Sequence, residues 1–202
     1  MEIKLAVFNG TFVRTDTCPK EEMPEYAFIG RSNVGKSSLI NYLCNYKGLA
    51  KVSGTPGKTQ TINYFLINNH WHLVDLAGFG YARTSKTNKA TWGVMTQHYL
   101  RNREQLQYVF LLIDCRIPPQ KIDLEFTDFL GGHNIPFVIV FTKCDKPNSP
   151  EYQKNMDAFR KEMLKKWEDL PPIFVTSSEK RQGKEAVLAF IGAANKDYQE
   201  NV

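Results

Sequence analysis

No apolar run among the 202 residues approaches the ~20 that a membrane-spanning helix requires. The opening residues, Met1-Glu2-Ile3-Lys4-Leu5-Ala6-Val7, are too short and too mixed for an export signal. The expectation is therefore a cytoplasmic protein with no membrane association. Cysteine is scarce. Cys18, Cys44, Cys115 and Cys144 are scattered and form no C-x-x-C pair, so they read as reduced thiols in or near a core rather than as disulfides or metal ligands. There is no internal repeat and no low-complexity tail. Neither sign of charge dominates: 26 Lys and Arg against 21 Asp and Glu leave a net charge of +5, which permits an RNA partner without requiring one. With 42% hydrophobic and 23% charged residues, the chain suits one globular domain with a substantial core.

What is present is punctuated by strand and helix patterns. Residues 2–13 alternate partially through Ile3, Leu5, Val7, Phe12 and Val13, the pattern of an extra edge strand. Residues 14–25, with Pro19 and Pro24, form a polar connector. Ala27-Phe28-Ile29 ends a short buried strand, and Ser38 to Leu43 reads as a helix with Leu39, Ile40 and Leu43 on one face. A long loop over 46–61 precedes a hairpin: Thr61 to Ile67, a turn at Asn68-Asn69, and His70 to Asp75 returning. Trp92 to Arg103 reads as helical. Tyr108 to Asp114 and Pro136 to Phe141 are continuous apolar runs, as expected of parallel strands covered on both faces. Between them Pro118-Pro119 leads a helix through Ile122, Leu124, Phe126, Phe129 and Leu130. Ser149-Pro150 has the form of a capping serine and first-turn proline, opening a helix whose stripe of Tyr152, Met156, Phe159, Met163 and Trp167 faces the core. Pro172 to Thr176 is a last strand, and Val187, Phe190, Ile191 and Ala194 share one face of a last helix. Strands alternating with helices argue an α/β fold with a mostly parallel sheet, whose ligands bind outside the carboxyl ends of the strands.

The candidate chemistry falls at those ends. Gly30-Arg31-Ser32-Asn33-Val34-Gly35-Lys36-Ser37 fits G-x-x-x-x-G-K-[ST] and lies between a strand and a helix, the context this phosphate-binding loop needs. Its glycines let backbone N–H groups point inward around a phosphate, and the helix N-terminus adds a positive dipole end. Lys36 would reach the β- and γ-phosphates, and Ser37 would place a hydroxyl on Mg2+. Asp75-Leu76-Ala77-Gly78 is D-x-x-G: the aspartate can hold Mg2+ through water, and the glycine N–H can approach a γ-phosphate. Thr142-Lys143-Cys144-Asp145 has the form [NT]-K-x-D. A carboxylate facing the N1–H and 2-amino group of guanine gains a charge-assisted pair that adenine cannot offer. The Lys143 stem can cover the base plane. Thr142 stands where Asn is more usual, and the N–H groups of Thr176-Ser177-Ser178 are candidates to meet the guanine O6.

These motifs run in one order with P-G-K-T-Q-T at Pro56 to Thr61 and S-S-E at Ser177 to Glu179. In that order the chain resembles a translation-factor-class small GTPase of the TrmE/Era/EngA-like group. More narrowly, G-R-S-N-V-G-K-S-S, P-G-K-T-Q-T-I-N and the run from Asp75 to Arg83 make it similar to the EngB (YihA or YsxC) family of bacterial ribosome-biogenesis GTPases, over roughly residues 25–192. The resemblance implies a P-loop G domain over residues 25–202, its six-stranded, mostly parallel sheet having one antiparallel strand and helices on both faces, preceded by an extension at 1–24. It also implies hydrolysis of GTP to GDP and phosphate with Mg2+, a switch role in assembling the large ribosomal subunit through rRNA and ribosomal proteins, and a need for the protein in cell division and septation. Gly57, Lys58, Thr59, Gln60 and Thr61 then belong to the nucleotide site, with Thr59 joining Ser37 as a Mg2+ ligand and Thr61 as a second candidate.

Phe79 stands where Ras-like enzymes carry the glutamine that orients the attacking water, and a phenyl ring can neither accept nor donate that proton. The catalytic residues are thus not visible, and slow turnover stimulated by a partner or an ion is expected. Related GTPases use an Asn at the position of Asn33 to hold K+ against the phosphates. The alternatives are an ATPase or nucleotide kinase, which Asp145 opposes, and a nucleotide-binding ribosome-interaction module with negligible hydrolysis, which Phe79 makes credible. The expected partner surface is Phe79–Arg103, where Arg83, Lys86, Lys89, Arg101 and Arg103 interleave with Tyr81, Trp92 and Tyr99; the alternative is that Trp92 and Tyr99 are core residues and the cations merely solvate. A second basic group, Lys154, Lys161, Lys165 and Lys166, reads as a solvated helix face.

Overall fold

Along the central strands successive side chains fall alternately into two apolar cores, which is what covers the sheet on both faces. In strand β2 (Glu25–Gly30), Tyr26 and Phe28 enter one core while Ala27 and Ile29 enter the other. In β5 (Leu106–Asp114), Phe110 and Leu112 oppose Val109, Leu111 and Ile113 in the same way. The computed structural model describes residues 1–50, 61–79, 93–146 and 148–201. The remaining strands are β1 (Ala6–Phe12), β3 (Ile62–Ile67), β4 (Trp71–Leu76), β6 (Phe137–Thr142) and β7 (Ile173–Val175). They form one seven-stranded sheet in the order β1-β3-β4-β2-β5-β6-β7. β3 pairs antiparallel with both β1 and β4, whereas β4, β2, β5, β6 and β7 pair parallel. β3 is thus the one antiparallel strand of the described sheet. The six strands of the expected G domain are joined by the edge strand read from residues 2–13.

One face carries helices α1 (Lys36–Leu43) and α5 (Lys184–Asn201), through Leu39, Ile40, Leu43, Val187, Leu188, Ile191 and Ala194. The other carries α2 (Val94–Asn102), α3 (Lys121–Gly132) and α4 (Pro150–Leu164), through Tyr99, Leu100, Phe126, Leu130, Met156, Phe159 and Met163. All four cysteines are free and buried in these cores. In the β3–β4 hairpin both Asn68 and Asn69 adopt left-handed backbone, and the His70 N–H returns to the Ile67 carbonyl at 3.0 Å, the geometry their side chains tolerate best.

Local details depart from the sequence reading. Ser149 sits at the helix-capping position in extended backbone, but its hydroxyl makes no capping hydrogen bond. Trp167 lies beyond the end of α4 and packs edge-on against Phe137 at 5.5 Å, so it belongs to the core without belonging to the helical stripe. Thr15–Thr17 forms a short 3-10 turn inside the segment read as a connector.

Tyr99 and Arg103 overturn part of the expected partner surface. Tyr99 is fully buried, and its hydroxyl donates to the Glu25 carboxylate at 2.7 Å. Arg103 forks onto the same carboxylate, with Nη2 to Oε1 at 2.6 Å, and Tyr64 adds a third donor at 3.0 Å. Glu25 has no exposed surface, so its charge is tolerable only because this donor set surrounds it. Position on a basic, aromatic stretch could not separate such a buried network from a surface patch. Arg103→Met should leave the Glu25 charge buried without its countercharge and lower stability by about 3–5 kcal/mol, read from urea denaturation.

Candidate functional site

The phosphate loop leaves β2 at Gly30 and enters α1 at Lys36. Gly35 caps that helix at φ +100, backbone that a side chain resists, and a Cβ there would touch the Lys143 stem at 3.4 Å. The first turn of α1 thereby presents its unpaired N–H groups and positive dipole end to the loop. A second strand end is stitched to this loop. The Phe79 N–H donates to the Gly30 carbonyl and the Ser32 N–H to the Phe79 carbonyl, each at 3.1 Å, making a parallel bridge between Arg31 and Phe79. The stitch requires close approach: a Cβ on Gly78 would lie 3.1 Å from the Gly30 carbonyl oxygen.

The stitch brings the two phosphate-side motifs together. Lys36 Nζ is ion-paired with the Asp75 carboxylate, both side chains being largely buried. Leu76 and Ala77 carry the strand on from Asp75 to Gly78, and Ser37 opens α1 beside Lys36. The donors fit Mg2+. It prefers hard oxygen ligands and keeps several of its waters beside phosphates. Of the described residues, the Ser37 hydroxyl would hold the ion directly and Asp75 through water, and the ion would neutralise charge on the phosphate oxygens.

The base-side motif is tied to the same loop. The Thr142 hydroxyl donates to the Val34 carbonyl at 2.7 Å, so the residue in place of the usual Asn still bridges β6 to the phosphate loop. Lys143, at φ +59, passes its stem over Gly35; its ammonium group meets the Asn33 carbonyl and the Asp114 carboxylate, the latter at 3.0 Å. Burial would raise the Asp114 carboxyl, but hydrogen bonds from Arg116 and Lys143 hold it below the usual carboxylate range. Asp145 accepts the Ser177 hydroxyl at 2.5 Å, and Ser177 Oγ accepts the Lys180 N–H at 2.9 Å, which fixes the last loop against the motif. Cys144 is buried with its thiol pushed well above the ordinary value, first by its hydrogen bond to Cys115 and then by burial. It therefore enters the site through its backbone, whose N–H donates to the Thr176 carbonyl at 3.1 Å.

One expectation needs correcting. Of the three N–H groups offered to a guanine O6, that of Thr176 is taken by the Phe141 carbonyl at 2.7 Å and that of Ser177 by Gln182 at 3.1 Å. Ser178 is left as the candidate donor. Thr61 stands just before β3, while Gly57, Lys58, Thr59 and Gln60 lie outside the described residues, as do Tyr81, Arg83, Lys86, Lys89 and Trp92. Asn33 is exposed at φ +64. Two acids escaped the sequence reading. Asp114 ends a buried parallel strand at its carboxyl end, where ligands bind, and that placement was a usable signal. Asp123 looks like any helical carboxylate and gave none.

The geometry has a counterpart in known proteins. Residues 25–143 match the family model described as 50S ribosome-binding GTPase. A Porphyromonas gingivalis protein named Probable GTP-binding protein EngB is 52% identical over 197 residues, covering 98% of each chain. The chain is a GTP-binding protein of the EngB family. A Bacteroides fragilis EngB protein is 51% identical, with 96% of this chain and 98% of that one covered. Among solved structures, a probable GTP-binding protein EngB superposes with a TM-score of 0.64 at 23% identity over 86% of this chain and 99% of that one, which supports the fold. Era, solved with MgGDPNP and nucleotides 1506–1542 of 16S ribosomal RNA, gives a TM-score of 0.60 at 25% identity over 84% of this chain and 55% of that one. The matched span includes both the phosphate loop and D-x-x-G. Among the described residues, no helix is long and apolar enough to cross a membrane.

Proposed function

We propose that this EngB-family protein is a cytoplasmic GTP-dependent switch that acts on the large ribosomal subunit or its precursor, with consequences for cell division and septation. The observation that carries the nucleotide part is the Lys36–Asp75 ion pair, which joins the phosphate loop to D-x-x-G at one edge of the sheet. In this reading Gly30–Ser37 and Gly57–Thr61 enclose the phosphates, with Mg2+ held by Ser37 and Thr59 and by Asp75 through water. Asp145 pairs with the guanine N1–H and 2-amino group, the Lys143 stem lies along the base, and Ser178 donates to O6. Asp145→Asn should weaken GTP binding and move preference toward xanthine nucleotides, because an amide donor meets the xanthine carbonyl. Competition binding of GTP and XTP checks this, and unchanged GTP affinity would sink the base assignment.

Hydrolysis is slow in this reading because Phe79 is buried against Phe126, with ring centroids 4.9 Å apart, and offers no group to orient water. Asn33, exposed on the loop, would hold K+ in place of an arginine finger, a device worth about 10³–10⁵ in rate. Single-turnover hydrolysis should run faster in KCl than in NaCl, and equal rates would remove the K+ role.

The ribosomal part rests on the family and on charge. With Tyr99 and Arg103 committed to Glu25, exposed Arg101 joins Arg83, Lys86 and Lys89, known here by sequence alone, as the cations for RNA phosphates. Lys154 and Lys161 stay on the exposed face of α4, while Lys165 pairs with Glu162 and Lys166 with Asp128. Sedimentation with ribosomal particles under GTP, GDP and no nucleotide tests the reading. Binding should require GTP, fall steeply with salt, and vanish on charge reversal of Arg83 and Lys86 while GTP affinity persists. The rival reading is a ribosome-binding module with negligible hydrolysis. It predicts GTP-dependent sedimentation without turnover, even on particles.

A further inference from the structure

Helix α3 touches both sides of the stitch that holds the nucleotide site together. Arg31, the second residue of the phosphate loop, donates through Nε to Asp123 Oδ2 at 3.0 Å. Phe79, its partner in the bridge, packs its ring against Phe126 three residues further along α3. Positions 123 and 126 share one helix face, so a single turn of α3 grips two strand ends that are separate in the chain. Asp123 is costly where it stands. It is only 1% exposed, and its second carboxylate oxygen, Oδ1, is buried without a hydrogen-bond partner among the described residues. An apolar residue would serve packing alone at lower cost, so the carboxylate calls for another explanation.

We propose that Asp123 is a positioning residue for the nucleotide site: through Arg31 it fixes the start of the phosphate loop against α3, while Phe126 fixes the adjoining strand end. The loop's inward-facing N–H groups depend on backbone placement, and a displacement of about 1 Å can cost on the order of 100-fold in a positioned site. Ion pairing to Arg31 is available only while Asp123 is ionised. Burial pushes its carboxyl up to about 6 against the opposing pull of Arg31. Among the described residues Arg31 is the one charged group acting on it; the Thr127 hydroxyl, one turn on, is turned to the Leu124 carbonyl at 2.8 Å. The sign follows. Above about pH 6 the carboxylate holds Arg31; below it, protonation releases the guanidinium and the loop loses its anchor.

The inference rests on Gly30–Ser37 being the nucleotide site. A wild-type protein that bound no fluorescently labelled GDP at any pH would refute that reading and leave nothing for Asp123 to position. The test is labelled-GDP affinity for wild type, Asp123→Asn and Arg31→Gln from pH 5 to 8. The terminal phosphate titrates near pH 6 itself, so the ratio of wild-type to variant affinity at each pH is the readout. We expect wild type to bind about tenfold tighter than Asp123→Asn at pH 8, the order of one charge-assisted hydrogen bond, and the ratio to approach one at pH 5. Arg31→Gln should behave alike, and the double variant no worse than either. Leu130→Ala, one turn beyond Phe126 on α3 and in the same core, serves as the packing control: it should lower the melting temperature while keeping the wild-type pH profile. A ratio that does not change with pH, or no loss of affinity at pH 8, would overturn the role. Should Asp123→Asn fail to fold, Arg31→Gln carries the same comparison.

Discussion

Two backbone hydrogen bonds, from Phe79 to Gly30 and from Ser32 to Phe79, hold the site in register. They continue the β2–β4 pairing beyond the last regular residues of both strands. That continuation sets the D-x-x-G aspartate against the phosphate-loop lysine, two charges that the sequence places far apart. It depends in turn on Gly78, because a Cβ there would press on the Gly30 carbonyl. The parallel order of β4, β2, β5, β6 and β7 supplies the rest: it stacks five strand carboxyl ends side by side, and the candidate motifs collect on that edge of the sheet.

Much of this was legible because the relevant signals are local. A phosphate loop needs glycines at fixed spacing between a strand and a helix, and buried parallel strands such as Tyr108 to Asp114 need unbroken apolar runs. Thr142 was harder to read, since its hydroxyl acts on a carbonyl more than a hundred residues away. Tyr99 and Arg103 were read as surface because aromatic and cationic residues on a helix look the same whether they face RNA or a buried Glu25. The N–H groups of Thr176 and Ser177 were assigned to a ligand because sequence does not show which backbone donors the sheet and the 177–182 turn have already claimed. The α4 cap is hidden in the same way: Ser149 is the right residue at the right place, and its side chain makes no capping hydrogen bond.

The phosphate and base halves of the site are not independent modules. Thr142 holds the Val34 carbonyl, Lys143 holds that of Asn33, and Asp145 is held by Ser177 from the final loop. The same hydrogen bonds that place the [NT]-K-x-D motif at the end of β6 therefore also brace the loop between β2 and α1, so the two motifs share structural support.

The buried cysteines add a practical property. Cys44 lies in the apolar layer beneath α1 and α5, whereas Cys18, Cys115 and Cys144 lie in the layer beneath α2, α3 and α4. Folded molecules keep all four from solvent, and a thiol-alkylating reagent reacts only with molecules that have opened. The chain thus carries native reporters on opposite sides of its sheet. Their labelling rates resolve whether one face loosens before the other or the two open as a unit.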